Sequence, residues 1–270
     1  MAIRPFALTY PQLMQQAKAQ GAPPAELARL HRAYDALERL SDGFHRAQGM
    51  PFICHLVRTA SIVLAERLPV DVVIAAMGHS AYILHEFAGS CRGRPTAPTR
   101  RAIREALSPA VEELIGAYAD VPWGSRKAVE CHIAAVETYP EPTRRLLLLR
   151  LANELEDYLD LGMAYRGAYP FRERIDAYGD LLVALAQRLG RAQLAVEFGT
   201  VFAEHRASRL EACIVRNHKD AYELPVKRWG QASLPERWYR NGKRWLKRAR
   251  ARRTGTHNTQ EGCHGRVAAA

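Results

Sequence analysis

No stretch of this chain approaches 18 uninterrupted apolar residues. The densest run, Leu146 to Leu149, sits between Arg145 and Arg150, so a membrane-spanning helix is excluded. The opening Met-Ala-Ile-Arg-Pro-Phe lacks the apolar core of a cleaved leader, and none is expected. The five cysteines, Cys54, Cys91, Cys131, Cys213 and Cys263, are far apart and odd in number, with no C-x-x-C pair. That excludes a zinc knuckle or a disulfide framework and points to reduced thiols in the cytosol. Strand-type alternation and fixed-period repeats are missing too. Acidic residues thin out towards the end: from Pro225 onward there are 12 Lys/Arg and 2 Asp/Glu, a net of +10 out of a total of +11. Residues 1–224 are therefore close to neutral, and the basic character belongs to the last 46 residues alone.

What is present is helical period. With 48% hydrophobic residues the chain can fill a core and is not a disordered one. Between Pro24 and Leu40, apolar residues fall at Leu27, Leu30, Tyr34, Leu37 and Leu40, a single stripe along one helix. Further helices are expected over about 51–68, 70–87, 100–119, 125–137, 143–162, 171–189 and 191–219, separated by Pro and Gly. The spacing thus predicts an all-α globule of about eight helices. The expected organisation is an N-terminal segment (1–23), a helical domain (24–220), a linker with a cationic aromatic tail (221–253) and a disordered end (254–270).

The chemistry-bearing stretches are His45-Arg-Ala-Gln, Pro51-Phe-Ile-Cys-His55, Gly78-His79-Ser80 and Leu149-Arg-Leu-Ala-Asn153. Their order resembles the HD-domain superfamily, most closely the hydrolase domain of the bifunctional (p)ppGpp synthetase/hydrolases. Ala106 to Gly116 and Leu185 to Glu197 extend the likeness, which covers about 30–205. The resemblance implies an HD-like helical fold and a divalent metal held by a first His, a His-Asp pair and a distant Asp. Carried over by position, His45 and His79 remain as ligands, while Ser80 and Asn153 replace the two carboxylates. Neutral oxygen is a poor substitute for anionic oxygen around a hard cation. The family's acidic pair becomes Ile83 and Leu84 at the pocket, which cannot move protons. Asp157, Leu159 and Asp160 stand where the family contacts its substrate, and the added carboxylates would repel a pyrophosphate. Alarmone hydrolysis is not expected.

Two readings of the cluster follow. In one, no cofactor binds, and His45 and His79 are buried and hydrogen-bonded to Ser80 and Asn153 as a relict of the metal site. In the other, a divergent hydrolase holds Mn, Fe or Zn through His45, His79, Glu86 and Asp157, Glu86 lying two turns beyond His79 if the helix persists. His55 is expected to pack structurally, and the Glu154, Glu156, Asp157 and Asp160 run to form a solvated helix face. In the tail, Trp238, Arg240, Lys243, Arg244, Trp245, Lys247 and Arg248 form a cationic aromatic segment within 237–253. It suits an anionic membrane surface, which would make a cytosolic protein peripheral to the membrane, or nucleic acid. It equally suits a solvated extension. The function expected is a non-catalytic binding or scaffold module, with the hydrolase and a nucleic-acid-associated regulator as alternatives.

Overall fold

The computed structural model describes residues 3–84, 95–166, 170–216 and 221–224. Among them are ten α-helices: α1 (Tyr10–Ala19), α2 (Pro24–Ser41), α3 (Phe52–Ala65), α4 (Val70–Gly78), α5 (Ala97–Ala106), α6 (Pro109–Asp120), α7 (Arg126–Ala135), α8 (Glu141–Tyr158), α9 (Phe171–Arg188) and α10 (Ala192–Ala207). The all-α expectation holds. Two two-residue strands, β1 (Phe44–His45) and β2 (Tyr222–Glu223), pair antiparallel, with His45 opposite Tyr222. None of the described helices is long and apolar enough to cross a membrane.

Two helices form the centre. In α3, every residue from His55 to Leu64 is buried, and in α8 the four consecutive leucines Leu146 to Leu149 are buried on all sides. A helix apolar around its whole circumference has to be enclosed by others. α3 packs on α4 and α8, while α6 and α10 also lie against α8.

The boundaries differ from the sequence reading at four places, each for a local reason. The expected 100–119 helix is two helices, because Ser108 caps α6 through a bond from Val111 N (3.2 Å) and Pro109 takes its first position. α4 stops at Gly78 rather than near 87, where His79 Nδ1 donates to the Ala76 carbonyl at 2.7 Å. α10 stops at Ala207 rather than near 219, and Ser208 Oγ donates to the His205 carbonyl at 2.7 Å. Ser108 satisfies an amide at a helix start, while His79 and Ser208 each satisfy a carbonyl that a continuing helix would have used.

The fourth difference concerns the segment before Pro24, which was expected to stand apart from the helical domain. It belongs to one compact unit running from Met1 to Leu224. Leu13 and Ala17 of α1 are fully buried, and Arg4 donates from both N and Nε to Glu197 Oε1 (3.0 and 2.8 Å). Residues 225–270, including the cationic tail, lie outside the described residues.

Candidate functional site

α3 carries His55 and Arg58 one turn apart on a helix with no other charge before Glu66. A tight turn before it presents Arg46: Arg46 N bonds Met50 O and Gly49 N bonds Arg46 O, both at 2.8 Å. Gly49 sits at φ +96, and a Cβ there would lie 3.0 Å from the Arg216 guanidinium. The end of α4 supplies His79, and the last turns of α8 supply Glu156 and Asp157.

These side chains form a continuous buried chain. His79 Nδ1 donates to Ala76 O, and His79 Nε2 lies 3.2 Å from His55 Nε2. His55 Nδ1 contacts Glu156 Oε2, and Glu156 Oε1 accepts from Arg58 Nε at 3.0 Å. Arg58 also pairs with Asp160, and Arg46 with Asp157. Arg46 Nη1 stands 3.4 Å from His55 Nε2, a weak contact.

Counting protons constrains the state of this chain. Each of the three gaps, Ala76 to His79, His79 to His55 and His55 to Glu156, needs one hydrogen. Two neutral imidazoles supply two, so one more proton must reside in the trio. Burial, and then the Arg46 charge, hold His55 well below its ordinary value. Burial, and then His55, push His79 down to about 3. Burial raises Glu156 against the opposing pull of Arg58. Both directions favour the neutral form of the buried His55–Glu156 pair over an imidazolium facing a carboxylate.

Several expectations change. The imidazole that meets His79 is His55, expected to be structural, and not His45. His45 is half-buried on β1, with Nδ1 on the Gly43 carbonyl (3.1 Å) and its ring stacked on Tyr222 at 5.5 Å. Among the described residues, no hydrogen bond joins Ser80 or Asn153 to either His45 or His79. Ser80 is buried, and the buried Asn153 Oδ1 has no partner. The relict cluster of His45, His79, Ser80 and Asn153 is thus not assembled. Of the two pocket positions, Ile83 is 63% exposed and Leu84 is packed in the core. The acidic run is not a solvated face: Glu154 and Glu156 are buried and Asp157 is nearly so, each on an arginine, and only Asp160 reaches solvent.

For a metal, the described residues offer His55, Glu156 and Asp157, with ligand atoms within 4.8 Å of one another. This donor set does not fit a divalent ion as it stands. Asp157 is engaged by Arg46 and Glu156 by Arg58, so a cation would have to displace two guanidiniums. The helix that was to carry Glu86 beside His79 ends at Gly78, and Glu86 itself lies outside the described residues, as do the tail residues Trp238 to Arg248.

Sequence reading missed Arg46 and Arg58 and placed Glu156 on a solvated face. A signal was present for two of the three. A lone arginine within Leu56-Val57-Arg58-Thr59-Ala60, and a glutamate within a leucine-rich helix, each demand a buried counterpart. Comparison of the chain with protein-family models and with curated proteins returns no match.

Proposed function

We propose that this chain is a binding or scaffold module on an HD-like helical domain, whose metal cleft has been rebuilt as an internal polar core. The observation that supports this reading is the placement of Arg46 on Asp157 and Arg58 on Glu156. A guanidinium offers fixed positive charge and directional donors without Lewis acidity or a bound water. Carboxylates answered in this way contribute to the fold and not to phosphoester chemistry.

Metal analysis of the purified full-length protein tests the reading. The expected result is no stoichiometric Mn, Fe or Zn, and a melting temperature unchanged by a chelator. Stoichiometric metal that disappears in both His55→Ala and His79→Ala would overturn it in favour of a divergent hydrolase.

In the same proposal, the segment 237–253 brings the module to an anionic membrane surface, with Trp238 and Trp245 at the interface and the basic residues on headgroups. Flotation with anionic but not neutral vesicles is expected. Retention on nucleic acid without flotation would replace this part of the proposal with the nucleic-acid reading.

A further inference from the structure

Arg58 has a second face that the histidine cluster does not use. Its Nε and Nη2 hold Glu156 Oε1 at 3.0 and 2.9 Å, while Nη1 points the other way, to Asp160. The two partners differ in kind: Glu156 is fully buried, whereas the Asp160 side chain is 78% exposed. Beside this outward-facing nitrogen lies a cavity of about 400 Å³, whose wall also includes Ile3, Phe6, Leu8, Leu159 and Leu161. Arg4 reaches the same wall but is engaged by Glu197 and Glu66. Asp160 and its neighbour Leu161 both hold left-handed backbone, at φ 55 and 57, a region unfavourable for residues with a Cβ. An exposed carboxylate is thus held on a buried guanidinium at a backbone cost.

We propose that this cavity binds a small amphiphilic carboxylate, with its chain against the apolar wall, its headgroup on Arg58 Nη1, and Asp160 as an internal competitor. The volume is within the range of small-molecule pockets, and the lining has an apolar side (Ile3, Phe6, Leu8, Leu159, Leu161) and a charged side (Arg4, Arg58, Asp160, Glu204), which suits an amphiphile. The headgroup is a carboxylate and not a phosphate for two reasons. Arg58 has one donor edge not committed to Glu156, and that edge already donates to the carboxylate of Asp160, while the exposed Glu204 on the wall disfavours a dianion. Asp160 lowers apparent affinity by the fraction of time it covers Nη1. The site is independent of how the histidine cluster is read, because ligand binding and metal content are separate measurements.

Calorimetric titration of the full chain with decanoate, decanol and inorganic phosphate tests the proposal. Decanoate is expected to bind, and to bind Asp160→Asn about two- to fivefold tighter, the range set by an exposed ion pair. Decanol and phosphate are expected to bind much more weakly, and Ile3→Trp, which fills the cavity from its rim, to abolish decanoate binding. Since Asp160 and Ile3 are not core residues, neither variant depends on refolding the interior. Failure of decanoate to bind Asp160→Asn, equal binding of decanol, tighter binding of phosphate, or binding unaffected by Ile3→Trp would each overturn the proposal.

Discussion

Glu112 and Glu156 are both fully buried carboxyls, yet their surroundings solve the cost of burial differently. Glu112 on α6 is met by Arg104 (2.8 Å), Arg100 (3.2 Å) and the Tyr82 hydroxyl, and the two guanidiniums remain 44% and 38% exposed. Its positive partners keep much of their hydration, and three donors converge on it. Glu156 has Arg58 and His55, both inside the protein, with His79 behind them. With no partner in water, retaining a proton is the less costly solution. Equal burial therefore does not mean equal surroundings; the exposure of the partners separates the two sites.

The largest effect should come from replacing each acid by its neutral isostere. Glu112→Gln leaves two arginines facing an uncharged group and is expected to cost about 3 kcal/mol, whereas Glu156→Gln, which mimics a protonated acid, should cost under about 1 kcal/mol. Urea unfolding of the two variants measures this, and equal losses would break the comparison.

The next effect is in the pH dependence. Between about pH 4.5 and 6.5 the unfolded chain protonates His55 and His79, while burial keeps both rings neutral in the folded chain. The two rings therefore bind more protons unfolded than folded, and their contribution to stability should rise with pH across that window. Glu156, raised by burial, works in the opposite sense and offsets part of the rise. In Glu156→Gln the rise should therefore be steeper than in the wild-type protein. A rise no steeper in Glu156→Gln than in the wild-type protein would contradict this reading of the trio.

The smallest effect concerns the orphaned acceptor of Asn153. Asn153→Leu removes a buried oxygen that has no partner, and should be neutral or raise stability by up to about 1 kcal/mol. A loss above that size would show that Asn153 carries a contact essential to the cluster.

Much of the fold was legible because helical period is a long-range signal: the stripe from Leu27 to Leu40 became α2 with Leu30, Leu37 and Leu40 buried. Breaks decided by one side chain, such as Ser108 at the start of α6 or His79 at the end of α4, were not, since apolar spacing continues across them. Strands of two residues have no alternation to read. In the site, His79 was singled out with His45, and the partners expected for both were Ser80 and Asn153, whereas His79 meets His55. Motif spacing gives positions along the chain, whereas the meeting of α3 with α8 selects which imidazole faces inward. Asp157 was read as a potential ligand because a sequence shows a carboxylate without showing the arginine upon it.

The clasp between Arg4 and Glu197 joins residues 193 positions apart. At ribosomal rates of about 5–20 residues per second, roughly 10–40 s separate the making of its two halves. During that interval the surface under Ile3 to Leu8 is unfinished, and Arg4 has Glu66 and the Ala65 carbonyl to reach for but not Glu197. The wall that these residues give the cavity beside Arg58 is therefore among the last parts of the unit to close in biosynthesis. A nascent chain would be accessible there to proteases or chaperones well after α3 and α4 have emerged.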